Sequence, residues 1–194
     1  MKAQVTNTLG DVTQVMNITV YLGAGDIDNA HFKDAVRELG LWIAQSGNTL
    51  VYGGSKTGLM GVLANAVLDA GGKVVGVEAQ FFMDAGVEHK ALTELVVVKD
   101  MATRKSTMIK YGDAFIAFPG GTGTLEEISE VMSKVSLGQI TKPCILYNLD
   151  GYYDNLKAQL LHMIDVGLSS ESRQKGIYFA SNLAQIKQIL GYEG

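Results

Sequence analysis

The stretch Asp113-Ala114-Phe115-Ile116-Ala117-Phe118-Pro119-Gly120-Gly121-Thr122-Gly123-Thr124-Leu125-Glu126-Glu127 decides the fold, because it passes from an apolar run through a glycine-rich turn into a helical pattern. In that order the residues read as strand, phosphate loop and helix. Glycines at 120, 121 and 123 keep side-chain bulk out of the turn, so backbone N–H groups can approach an anion where the helix exposes its unpaired amides. Glu126 and Glu127 fall in the first helical turn, where an ionised carboxylate is favoured and lies within reach of whatever the loop holds. The plainer reading of the same residues is a sharp connection with two acidic residues at a helix start, in which Thr124 is only an N-cap.

Outward from this unit the same alternation repeats. Apolar runs over 18–22, 49–52, 73–77, 95–98, 114–118 and 144–147 read as strands. Apolar recurrence at three- and four-residue spacing marks helices over 31–45, 59–70, 102–111, 124–135 and 153–166, with 182–190 as a last helix. Apolar strands separated by helices of this length predict a Rossmann-like, doubly wound α/β domain over residues 17–194, a mostly parallel sheet with helices on both faces. Residues 1–16 lack periodicity and read as a flexible arm or a partner contact. Ligands of such sheets bind beyond the carboxyl ends of the strands, where Gly23-Ala24-Gly25, Gly53-Gly54 and Gly120-Gly121 all fall. Asp28 stands where the dinucleotide fingerprint Gly-x-Gly-x-x-Gly needs its third glycine, which argues against a nicotinamide cofactor.

Composition narrows the classes further. With 16 basic and 20 acidic residues the net charge is −4, which offers no electrostatic argument for nucleic acid or membrane as a partner. The chain is 47% hydrophobic and 19% charged, as expected of an ordinary soluble domain, and no stretch approaches the length of a transmembrane helix, so the expected compartment is the cytoplasm. Cys144 is the only cysteine; it excludes an intramolecular disulfide and reads as core packing. His31, His89 and His162 lack the spacing of a metal site, so no metal is expected.

Pro119 to Glu127 resembles the signature PGGxGTxxE of the Lonely Guy family, cytokinin riboside 5'-monophosphate phosphoribohydrolases often labelled lysine decarboxylases. The segment from Tyr52 to Gly61, the strand-like Gly71-Gly72-Lys73-Val74-Val75-Gly76-Val77, Met101-Ala102-Thr103-Arg104-Lys105, Lys142-Pro143 and Asp150-Gly151-Tyr152-Tyr153-Asp154 continue the match in family order, over residues 17–165. The resemblance implies hydrolysis of the N-glycosidic bond of a nucleoside 5'-monophosphate, AMP or an N6-modified AMP, by a homodimer or larger assembly that needs no cofactor. It carries the catalytic pair over to Arg104 and Glu127. Substrate binding then falls to Gly53, Gly54, Lys105, Gly120, Gly121, Thr122, Gly123, Thr124 and Ser133. Glu88 is chosen from Asp84, Glu88 and Glu94 for the substrate-contacting glutamate that the family has between its third and fourth strands.

The chemistry fits these residues. Cleavage builds oxocarbenium character at C1', which a carboxylate at Glu127 stabilises while orienting or deprotonating water. Arg104, with its planar fork, and the loop amides suit a phosphate, and Lys105 would act as a point charge. The pattern departs from the family where Lys134, Ser136 and Ile140 stand for Trp, Gln and His, which affects base preference or the dimer contact. A noncatalytic nucleotide-binding or sensing module on the same fold is the alternative; an acidic Glu127 beside a dianion speaks against it. Lysine decarboxylation needs pyridoxal phosphate on a lysine, and no lysine here is marked for that.

Overall fold

The computed structural model describes residues 4–6 and 12–192. Within the arm expected over 1–16 it holds an antiparallel pair, β1 (Gln4–Thr6) with β2 (Val12–Gln14); residues 1–3 and 7–11 of that arm lie outside the described residues. The chain then alternates strand and helix: β3 (Asn17–Tyr21), α1 (Ala30–Gln45), β4 (Thr49–Tyr52), α2 (Gly58–Asp69), β5 (Lys73–Ala79), α3 (Gln80–Asp84), β6 (Glu94–Val98), α4 (Met101–Tyr111), β7 (Ala114–Ala117), α5 (Thr122–Ser136), β8 (Cys144–Tyr147), α6 (Asp154–Asp165), α7 (Glu171–Gln174), β9 (Ile177–Ala180) and α8 (Leu183–Ile189).

Strands β3 to β9 form one seven-stranded sheet in the order β6-β5-β4-β3-β7-β8-β9, and every pairing in it is parallel. Successive side chains of a strand point to opposite faces, so a sheet covered on both sides needs apolar residues at every position. Ile18, Val20, Leu50, Tyr52, Ile116 and Ile145 pack on one face with residues of α1, α2 and α8. Tyr21, Val51, Phe115, Ala117, Cys144 and Leu146 pack on the other with residues of α4, α5 and α6. Thr19 is a buried polar exception in β3, and its hydroxyl donates to the Met108 carbonyl at 3.2 Å.

The architecture is therefore the doubly wound α/β fold read from the sequence, with three local differences. Strand β5 continues to Ala79, and the short helix α3 follows it directly. Strand β9, the apolar run Ile177-Tyr178-Phe179-Ala180, is an extra edge strand beyond those read from the sequence, and it leaves Tyr178 exposed. Helix α5 starts at Thr122 with Gly121 as its N-cap, two residues ahead of its apolar pattern. Topology sets the position of the site: the chain steps outward from β3 through β4 and β5 to β6, then returns to the opposite side of β3 with β7. That reversal opens a crevice beyond the carboxyl ends of β3 and β7.

Candidate active site

The loops that follow β3, β4 and β7 surround one cavity of about 730 Å³. They touch because they are made of glycine: a Cβ on Gly120 would lie 2.9 Å from the Gly23 nitrogen and 2.2 Å from the Thr124 hydroxyl oxygen. Gly58, at φ +55°, is packed as tightly, since a Cβ there would meet the carbonyl oxygens of Gly25 and Ala24 at 2.3 and 2.4 Å. The Thr57 hydroxyl ties the same two loops together through the Ala24 carbonyl at 3.1 Å. No side chain caps the first turn of α5, which leaves that turn's amides for an anion held by the loop. The Tyr152 hydroxyl donates to the Gly120 carbonyl at 2.5 Å and closes the loop from the side of α6.

Beneath the loops lies a buried charge cluster. Asp100 caps α4 by accepting from Thr103 N at 2.7 Å, which places Arg104 in the first turn of that helix. Arg104 is 5% exposed. Its Nε donates to the Val77 carbonyl at 2.9 Å, its Nη2 to the Gly53 carbonyl at 3.0 Å, and its Nη1 to Glu127 Oε1 at 2.8 Å. A second carboxylate approaches the same guanidinium, with Glu78 Oε1 at 3.5 Å from Nε. Gly53 has no room for a side chain, because a Cβ there would lie 2.1 Å from Arg104 Nη2.

Two buried carboxylates sharing one cation carry a net negative charge when both are ionised, which a low-dielectric site resists. Burial pushes the Glu78 carboxyl up to about 7, against the pull of Arg104 and the Ala79 N–H. Burial also raises Glu127, and Arg104 again opposes the shift through its charge and its hydrogen bond. Glu127 makes the direct charge-assisted bond and is the better placed of the two to stay ionised. The cluster can therefore hold one proton and one carboxylate side by side, the condition for acid and base roles in one site.

Of the residues singled out in the sequence, Gly53, Arg104, Gly120, Gly121, Thr122, Gly123, Thr124 and Glu127 line the cavity together. Four others stand outside its lining. Gly54, at φ +86°, packs its backbone against the Glu78 side chain. Lys105 turns outward to Glu126 at 2.6 Å and Glu130 at 3.4 Å. Glu88 sits beyond α3, bridged to Ser55, with its Oε2 buried and unpartnered among the described residues. Ser133 lies near the far end of α5. The guanidinium of Arg104, expected as a free fork for phosphate, has three of its five N–H donors occupied by the protein.

Glu78 was missed by sequence reasoning, as were the aromatic walls formed by Phe32, Phe82 and Tyr152. A signal for Glu78 was present: it is the one acidic residue in the otherwise apolar run from Val74 to Ala79, at the carboxyl end of a strand. The aromatic residues gave none, since they come from three separate helices or turns and converge only in the fold. Among the described residues, no cluster of three or more His, Cys, Asp or Glu suits a metal ion, and no helix is long and apolar enough to cross a membrane.

Comparison with known proteins places this cavity in context. The family model described as "Possible lysine decarboxylase" matches residues 60–190. A cytokinin riboside 5'-monophosphate phosphoribohydrolase of Rhodococcoides fascians is 46% identical over 147 residues, 75% of this chain and 74% of the relative. One of the same description from Arabidopsis thaliana is 36% identical over 89% of this chain and 81% of its own length. Among solved structures, a structural-genomics target superposes with a TM-score of 0.72 at 23% identity, covering 91% of this chain and 99% of the other. The molybdenum cofactor binding protein of Rippkaea orientalis gives 0.68 at 24% identity, covering 91% and 98%. At these identities the structural likeness speaks for the fold alone.

Proposed function

The chain belongs to the cytokinin riboside 5'-monophosphate phosphoribohydrolase family, the group that also carries the description "Possible lysine decarboxylase", and on that premise we propose that it hydrolyses the N-glycosidic bond of a nucleoside 5'-monophosphate. The products are a free base and ribose 5-phosphate, and the substrate is AMP or an N6-modified AMP. The observation that carries this reading is the buried Arg104–Glu127 pair at the floor of a cavity whose rim is a glycine loop and an uncapped helix start.

In this reading the first-turn amides of α5 and the Thr124 hydroxyl hold the 5'-phosphate, as backbone N–H groups at a helix start hold anions generally. Glu127 lies one turn deeper on the same helix, where its carboxylate faces the ribose. It orients and deprotonates the attacking water and stabilises positive charge developing at C1'. Arg104 opposes the rise that burial imposes on Glu127 and fixes its carboxyl, so its contribution is to the placement of the base. Phosphate affinity in turn places C1', converting remote binding into rate. Among the described residues no lysine lines the cavity, which leaves nothing to form the Schiff base that lysine decarboxylation requires.

We also propose a cytoplasmic homodimer or larger homo-oligomer, for which Leu125 and Leu137 of α5 and its C-terminal turn are among the large apolar side chains left exposed. Base and ribose 5-phosphate release from AMP and isopentenyladenosine monophosphate, with unphosphorylated nucleosides as controls, tests the activity. Release that requires the phosphate and is lost in Glu127→Gln supports the proposal. Tight nucleotide binding with no release from the native chain refutes it in favour of a sensing or carrier module.

A further inference from the structure

Glu78 lines the cavity, is 1% exposed, and has no part in the reaction as assigned so far. We propose that Glu78 is the general acid that hands a proton to the departing base, an assignment that rests on the nucleotide-hydrolase reading.

Position is the first argument. The phosphate loop follows β7, whereas Glu78 ends β5, three strand positions away, or about 14 Å at the usual inter-strand spacing. Arg104 lies between the two carboxylates, in contact with Glu127 on the phosphate side and Glu78 on the other. A nucleotide with its phosphate at α5 and its C1' at Glu127 directs its base toward Glu78. The second argument is how the carboxyl is held. Its Oε1 accepts from Ala79 N at 3.2 Å and faces Arg104, which leaves Oε2 to carry a proton. Gly54, at φ +86°, lets the backbone pass beside that oxygen, where a Cβ would sit 3.3 Å from Oε2.

The charges around the group agree with a proton-bearing role. Arg104 faces it from α4, Glu127 from α5, Glu88 from the loop beyond α3, and the Tyr52 phenol from β4. Burial raises the carboxyl to about 7, the negative charges of Glu127 and Glu88 add to the rise, and Arg104 and the Ala79 N–H oppose it. Near neutral pH the group thus exchanges its proton readily, as an efficient general acid requires.

The step balances. The bond between C1' and the base nitrogen breaks with its electron pair remaining on the base, and the Glu78 proton moves to a ring nitrogen of that base. Water oxygen bonds to C1' and gives its proton to Glu127. Glu78 is left ionised and Glu127 protonated, and proton exchange through solvent restores both.

The test compares the native chain, Glu78→Gln and Glu127→Gln on AMP and on p-nitrophenyl riboside 5-phosphate, whose leaving group departs as a stable anion without protonation. Glu78→Gln is expected to lower kcat on AMP by about 10²–10⁴-fold and to remove the loss of rate above pH 7. Its p-nitrophenol release falls far less, which also shows that the variant is folded, whereas Glu127→Gln loses both activities. Equal losses on the two substrates from Glu78→Gln, or an unchanged AMP rate, overturn the assignment while leaving the hydrolase reading in place. A native chain that cleaves neither substrate overturns both.

Discussion

Replacing Gly53 with alanine puts a single methyl group against the guanidinium that organises the site. That methyl carbon would lie 2.1 Å from Arg104 Nη2, against an ordinary contact of about 3.4 Å or more, so the guanidinium must retreat by about 1.3 Å. It has no slack to do so, because Nε is bonded to Val77 and Nη1 to Glu127. The Nη2 bond to the Gly53 carbonyl is the first to break, and a hydrogen bond to a charged group is worth about 1.5–3 kcal/mol. Glu127 follows the guanidinium, and a displacement near 1 Å at a reacting group costs about 10²-fold in rate. Gly53→Ala is therefore expected to lower AMP hydrolysis by about two orders of magnitude and the urea unfolding free energy by a few kcal/mol. Arg104→Lys has no Nη2, so adding Gly53→Ala to it is expected to cost much less than the single change does in the native chain. A Gly53→Ala rate within twofold of the native rate refutes the argument, as does full additivity of the two substitutions.

Removing the cation itself by Arg104→Met leaves two carboxylates buried without a counter-charge, and the expected loss of stability is about 3–5 kcal/mol, larger at pH 8 than at pH 5, read from urea melts at both. Glu78 makes a pH signature of its own. Its folded value of about 7 lies above the ordinary 4.5, so the folded chain keeps a proton that the unfolded chain releases. Stability from this group is present below about 4.5 and is lost as pH rises through about 7, by about 3 kcal/mol in all, and Glu78→Gln is expected to flatten that part of the stability–pH curve. Gly120→Ala drives a Cβ into the Thr124 hydroxyl and the Gly23 amide, so the KM for AMP is expected to rise about 10- to 100-fold with a smaller change in kcat. Steady-state kinetics that show kcat alone affected would move the phosphate away from this loop.

The inner sheet and the rim of the cavity were legible in the sequence for physical reasons that also explain what was not. Strands β3, β4, β5, β7 and β8 are covered on both faces, so nearly every position in them is apolar and the runs stand out. Strand β9 presents an apolar run, Ile177-Tyr178-Phe179-Ala180, that the sequence reading passed over, whereas α3 spans only five residues and so produces no helical period. Glycine loops after strands announce themselves because close backbone approach admits no other residue, as Gly53 and Gly120 show by the clashes a Cβ would cause. Chemistry-bearing side chains are harder to place. Lys105 follows Arg104 directly, yet a helix turns consecutive residues about 100° apart, so one enters the site and the other meets Glu126 on the outside. Glu78 belongs to a strand 49 positions before Glu127, and only the sheet order and the docking of α4 bring the two to one guanidinium.

Helix α5 carries the uncapped first-turn amide of Thr122, proposed to hold the phosphate, and the carboxylate of Glu127 on one rod. With a rise of about 1.5 Å per residue, the two stand about 7.5 Å apart along its axis. On the proposed reading the helix works as a ruler for the span from phosphate to reacting carbon. On that reading a ligand with a longer phosphate chain is expected to overshoot the mark and one with none to have no zero point, so that substrate length is measured by backbone geometry rather than by side chains.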